Sequence, residues 1–347
     1  MSRHICAIPF SGLNTKLAGD ILTLWAMRRW FYLLFLSIIT LQLPAQNVQQ
    51  QEQRVFLNYK FEKTSNSLEA RYEEVIRKED SGWHVWRYFY PDKQLAADYY
   101  IIEPTSRFKH GLALSYYANG QIADSGSYTE GYKEKWHWSW YENGKPKTKF
   151  KYRNGLPVDT CTSWYATGET ESVWILDTKG SGYRRDMYPS QQLKAVGPIS
   201  KGLQFGRWRY FDEAGPQIME ARFDGKGPQN ITCFDTAGKK TNGPCILEKG
   251  PEYIGGTDAW NRFLSTEAVW PAGLRLPDKI VQVAVSFVVY TDGHIGDFHV
   301  LHSPHPLLTK EALRLLQLSG KWHPAVFMNK PVDFRYTSEL YIRQKYH

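Results

Sequence analysis

The chain has 347 residues, with 43 basic against 35 acidic side chains, a formal charge of +8 and aromatic residues at 15 %. That length leaves room for two domains behind any leader, each large enough to bury a core of its own. The basic excess is scattered, without the dense Lys/Arg block that neutralises a row of phosphates, so nucleic acid is not the expected partner.

Residues 1–45 are expected to be an export signal, with Met27 as its true start. Arg28-Arg29 give the basic beginning, Trp30 to Leu43 the apolar run, and Leu43-Pro44-Ala45 before Gln46 a small-residue cleavage site. The run, broken by Ser37, Thr40 and Gln42, spans 14 residues. A membrane-spanning helix needs roughly 20. The alternative is an uncleaved anchor. No Cys follows the run, so nothing supports a lipoprotein. Cleavage removes four of the 43 basic side chains and one of the 35 acidic ones, leaving an excess of 5. The mature chain is then expected in the periplasm or against the outer membrane.

From Gln46 to about Gly250 the chain repeats. Seven pairs recur: Tyr88-Phe89, Tyr116-Tyr117, Trp140-Tyr141, Trp164-Tyr165, Met187-Tyr188, Tyr210-Phe211 and Cys233-Phe234. Their first members are 28, 24, 24, 23, 23 and 23 residues apart. A fixed period of this size marks units that bury their apolar faces only against their neighbours. Trp136, Trp138 and Trp140 alternate with His137 and Ser139, placing three indoles on one face of a half-buried strand. Asn143-Gly144 reads as a tight type I′ turn, and Asn154-Gly155 turns again. Each unit is thus one β-hairpin, and successive hairpins make a long antiparallel sheet. The 28-residue interval is expected to hold an insertion near Glu103-Pro104-Thr105-Ser106.

These units resemble MORN-type repeats, in the variant of secreted and antitoxin-like bacterial proteins. Tyr116-Tyr117-Ala118-Asn119-Gly120-Gln121 and Trp140-Tyr141-Glu142-Asn143-Gly144-Lys145 fit that pattern best. Tyr188-Pro189-Ser190-Gln191-Gln192 departs from it by losing the glycine. The resemblance implies a binding or scaffolding strip. The rings could serve as a glycan platform, although packing on neighbouring hairpins is their expected role.

Of the three cysteines beyond the leader, Cys233 and Cys245 could bridge adjacent strands, leaving Cys161 odd. Three small buried hydrophobes remain the alternative.

From Pro251 to His347 the pattern changes. Val281 to Tyr290 reads as a strand, Thr291-Asp292-Gly293 as a turn, and Ile295 to Leu301 as the returning strand. Leu308 to Leu318 reads as a helix with Leu308, Ala312, Leu315 and Leu316 on one stripe, Thr309 near its start and Gly320 past its end. Val332 to Ile342 is a long final strand. The expected fold class is mainly β: a hairpin-repeat sheet followed by a small α+β domain of order β-β-α-β.

This last part resembles the TonB C-terminal domain as found in Bacteroidota envelope proteins. The resemblance rests on Ile254-Gly255-Gly256 with Ala259 and Phe263-Leu264, Pro271, Val283 to Val289, and Asp292-Gly293-His294-Ile295. It continues through Glu311-Ala312-Leu313-Arg314, Lys321-Trp322-His323-Pro324-Ala325 and Lys330-Pro331-Val332. Val281 stands where the family has glycine, and Met328-Asn329-Lys330 replaces its Asn-Gly-Lys turn. The resemblance implies a protein partner in the envelope, such as an outer-membrane transporter, whose extended segment adds as a strand to an exposed edge. The candidate edge is the last strand, with Phe334, Arg335, Tyr336, Glu339 and Tyr341 as contact residues. Protection of that edge by its own charges is the competing reading.

His294, His299, His302, His305 and His323 crowd into thirty residues, but alternation sets His299 and His302 on opposite faces, so no metal is expected. No Gly-x-Ser-x-Gly, His-Glu-x-x-His or phosphate loop occurs, so neither enzyme chemistry nor a cofactor is expected. The sequence therefore points to an exported adaptor, a repeat platform carrying a strand-accepting module. The alternatives are an anchored energy transducer and a structural or glycan-contacting repeat protein.

Overall fold

The computed structural model describes residues 52–344, apart from Leu68 and Ser81. The expected leader and its cleavage site lie outside the described residues. Fifteen strands, from β1 (Glu52–Leu57) and β2 (Tyr72–Glu79) to β15 (Pro228–Cys233), form one antiparallel sheet in strict chain order. The mainly β repeat sheet read from the sequence is present, with the extra loop of the long interval where Glu103–Ser106 predicted it.

Two kinds of turn alternate along the sheet. Between β7 (Tyr132–Trp140) and β8 (Pro146–Arg153), the Gly144 N–H donates to the Tyr141 carbonyl and the Tyr141 N–H to the Lys145 carbonyl. Gly144 has φ 80° while Asn143 is not left-handed, so this is a wider loop closed by one glycine rather than the type I′ turn expected. The Asn143 side chain is used instead: its Oδ1 accepts from the Lys145 N–H and its Nδ2 donates to the Ala166 carbonyl of the next unit. The pair of left-handed residues falls at Asn154 (φ 49°) and Gly155 (φ 77°). In the unit lacking its glycine, Gln191 takes φ 63° and the turn keeps the same hydrogen bonds.

A tyrosine ladder explains the period. The hydroxyls of Tyr117, Tyr141, Tyr165 and Tyr188 donate to the carbonyls of Trp140, Trp164, Met187 and Phe211 at 2.7–2.9 Å. Each ring thus ties its turn to the strand end one unit on. The last two aromatic pairs are out of step with this ladder. Asp212 and Asp235 open their turns as Tyr188 does, so Phe211 and Phe234, not Tyr210 and Cys233, occupy the first position. The reason is local: the Asp212 and Asp235 carboxylates accept the N–H groups of Ala214 and Ala237, a turn cap that needs no ring.

Three or four residues before each strand end lies a crowded column: Val85, Ala113, His137, Cys161, Arg184 and Trp208. Val85, Cys161 and Trp208 are 0 % exposed. A Cβ on Gly126 would come within 2.0 Å of the His137 ring, and one on Gly197 within 2.3 Å of Trp208. Those glycines are there for space. This reverses the faces expected for β7: His137 is buried while Trp136 is 38 % exposed. Gly126 lets the His137 face close up, whereas the indoles shield one another outside. Trp138 stacks on Trp140 and Trp164, and the Lys149 ammonium lies over Trp136 and Trp138.

In the C-terminal part, β18 (Ile280–Val289) pairs with β19 (Ile295–His302) on one side and β23 (Phe334–Arg343) on the other. Helix α2 (Pro306–Leu318) covers the inner face, and Leu308, Ala312, Leu315 and Leu316 are fully buried as the stripe required. Its N-cap is His305, whose Nδ1 accepts from the Leu307 N–H, so Thr309 lies inside the helix. Gly293 (φ 84°) is needed twice over, since a Cβ there would sit 2.4 Å from the Trp322 carbonyl oxygen. The long last strand is interrupted at Asp333, whose Oδ1 accepts the Thr291 N–H, giving β22 (Lys330–Val332) and then β23. A further helix, α1 (Gly256–Glu267), precedes this sheet. Its Trp260 and Phe263 pack with Trp322 and Tyr253, and Phe287 and Tyr336 extend that aromatic cluster.

Both ends of the long sheet reach this small domain. Fourteen strand spacings at about 4.8 Å make roughly 67 Å if laid flat. A domain of about a hundred residues has a radius of gyration near ~13 Å, so the sheet must curl to touch it at both ends. At the far end, Met328 is buried among sheet residues and its N–H donates to the Leu247 carbonyl. Asn329 Oδ1 accepts the Ile246 N–H and Lys330 pairs with Asp212. β16 (Glu248–Lys249) joins β21 (Ala325–Phe327), and the Cys233–Cys245 sulfurs are bonded across a separation of 12 residues. Cys161 is free and buried. At the near end, the loop after β1 lies on the outer face of the C-terminal sheet. That second cover explains why β18 is buried on both faces.

Candidate functional site: an unpaired edge and its groove

Among the described strands, β23 pairs only with β18, so one edge of β23 carries free backbone groups. Facing that edge is α1, and between them runs a groove of ≈ 690 Å³. Trp260, Asn261, Leu264 and Ser265 form its helical wall, with Tyr336 to Glu339, Tyr341 and Arg343 opposite. The sequence reading lacked the helical wall, although Trp260, Phe263 and Leu264 at i, i+3 and i+4 were a helical signal.

The structure sorts the five candidate edge residues. Phe334 and Tyr341 are exposed. Tyr336, half-buried, packs against Phe287 and Trp322 on its inner side, because the even-numbered residues of β23 face α2, and it also lines the groove. Arg335 is held by the Asp297 carboxylate and carbonyl. Glu339 is already engaged: its carboxylate accepts from the hydroxyls of Tyr59 and Tyr341 and pairs with Lys60 at 2.5 Å. The Lys60 hydrogen bond is the main cause that holds the Glu339 carboxyl below its ordinary range, so it is ionised at neutral pH.

Of the clustered histidines, His302 is buried beneath Tyr59, and burial pushes its imidazole below the ordinary 6.5. His299 is exposed beside Asp297. No group of His, Cys, Asp or Glu among the described residues could hold a metal.

A second concavity, ≈ 710 Å³, lies where the sheet meets Phe327 and Leu247–Gly250. Its wall includes the Arg184–Asp186 pair (2.6 Å), and burial keeps the Asp186 carboxyl above its ordinary value despite the arginine. Neither concavity assembles a nucleophile, a base and an orienting partner.

Residues 278–341 match the family described as Gram-negative bacterial TonB protein C-terminal. No curated protein matches the chain. The match covers β18 through most of β23, the whole sheet that carries the open edge. It agrees with a TonB-like envelope protein that interacts with partners and with a non-enzymatic role. The sheet before it is consistent with a MORN-like repeat. No helix among the described residues is long and apolar enough to cross a membrane.

Proposed function

We propose that the chain is an exported cell-envelope adaptor, in which a repeat platform (46–250) presents a TonB-like domain (251–347) that takes up an extended segment of an envelope protein by strand addition. The observation that carries this reading is the unpaired edge of β23 opening into the groove beside α1. Backbone hydrogen bonds to that edge supply affinity, and the alternating outward residues Thr337, Glu339 and Tyr341 supply register.

The test pans random octapeptides displayed on phage against the intact chain and measures amide exchange with the best synthetic peptide bound. The reading expects new protection at the Phe334–Arg343 amides that do not bond to β18. Protection confined to the repeat sheet would instead support the platform as the binding surface. Sequencing the mature N-terminus then fixes the compartment: a chain beginning at Gln46 supports the adaptor, and one retaining residues 30–43 favours the anchored transducer.

A further inference from the structure

Register places three residues in a row across the outer face of the C-terminal sheet. His302 and Glu339 both stand opposite Ala284, one on each side. The loop Asn58–Arg71 sits on this row. The Tyr59 ring stacks on His302 at 5.6 Å, its hydroxyl donates to Glu339 at 2.9 Å, and Gln282 Nε2 donates to that hydroxyl at 3.2 Å. Arg71 Nε donates to the Leu301 carbonyl at 3.1 Å. Beneath this lid Ala284 is fully buried.

Glu339 is the only carboxylate on β23, whose sequence is FRYTSELYIR. Directly opposed residues of paired strands share a face, with Cβ atoms about 5 Å apart. A strand added to the free edge therefore places one side chain next to Glu339 on the outer face, at the carboxylate that Lys60 now holds. The Lys60–Glu339 pair lies at the solvent boundary, with side-chain exposures of 42 % and 33 %, so water can enter as it opens. The loop covers the face of the sheet and leaves the groove beside α1 open.

We infer that Lys60 is an internal stand-in for a basic side chain of the partner: the segment that adds to β23 carries a Lys or Arg opposite Glu339, and its arrival displaces Lys60 and frees the loop Asn58–Arg71. This rests on the strand-addition reading. Binding and loop release are then linked in both directions, so loosening the loop strengthens binding.

The experiment uses the intact chain and the octapeptides selected above. Peptides that protect β23 carry Lys or Arg at one fixed position, and binding one raises amide exchange at Phe61, Ala70 and Arg71. Lys60→Gln binds the peptide at least threefold tighter and Glu339→Gln at least tenfold weaker. Replacing the peptide's basic residue with Gln weakens binding to the native chain and leaves binding to the Glu339→Gln variant unchanged. Each variant is accepted only if β18 keeps its amide protection within twofold. Peptides that protect β23 without a fixed basic residue overturn this inference and leave strand addition standing. If no peptide protects β23, both fall.

Discussion

The two places where the long sheet meets the C-terminal domain are built from different materials. The far joint is largely apolar and made through the backbone, with the Lys330–Asp212 pair at its rim: Met328 is 5 % exposed, β16 pairs with β21, and the Cys233–Cys245 bond staples the segment that leads to it. The near joint is made largely by side chains at the solvent boundary, with Tyr59, Lys60 and Arg71 on Glu339, Gln282 and Leu301. Contacts of the first kind hold through thermal fluctuation, whereas exposed ion pairs contribute little each and are screened by salt. The difference is what the proposed release requires: one curled sheet held to a module at one end by packing and backbone pairing, and at the other by contacts that water can replace.

The comparison can be broken at the far joint first. Met328→Ala removes a buried side chain at the joint and is expected to cost about 2–4 kcal/mol in denaturant unfolding. A loss under half a kilocalorie would mean that the joint is not a packed one. Replacing Cys233 and Cys245 together with Ser opens a short loop and is expected to cost about 3 kcal/mol, read as a lower midpoint in denaturant.

Acidification from pH 7 to 5 is expected to act first on the near joint. His302 faces Tyr59, Lys60, Glu69 and Arg71, and its buried Nδ1 has no hydrogen-bond partner among the described residues. Its imidazole is lowered by burial, so the docked loop binds fewer protons than the free loop. Docking is therefore at full strength above about pH 6.5 and weakens as pH falls below it. Glu339 and Asp212, both held low, stay ionised throughout that window. Amide exchange, corrected for its own pH dependence, should rise at Phe61, Ala70 and Arg71 and stay level at Met328 and Asn329. Equal change at both joints would refute the distinction. The smallest effect is expected from Tyr59→Phe, under about 1 kcal/mol of global stability. It should nevertheless speed exchange of the same loop, and a rigid loop in that variant would show that the hydroxyl contacts hold nothing.

Much of this was legible in the residues. The aromatic period and the Asn-Gly and Gly turns encode hairpins of fixed length, because ring packing and positive φ are short-range demands. The α2 stripe and the Val-rich β18 likewise announced a helix on a sheet. Where the reading went astray, a local device competed: Asp212 and Asp235 capped turns without a ring, and Gly126 made room that exchanged the faces of β7. Helix α1 was missed because only Trp260, Phe263 and Leu264 spell its apolar side. The engagement of Glu339 had no sequence signal, since Tyr59 and Lys60 lie 280 and 279 positions away and belong to no motif.

By itself the sequence determined the repeat length, the strand order and the existence of a strand-bearing final module, all products of contacts between near neighbours in the chain. Only the tertiary structure decided that the ribbon curls, that both its ends seat on one small domain, and that Lys60 occupies the carboxylate beside the open edge. Curvature accumulates from small twists over fifteen strands, and no single residue records their sum.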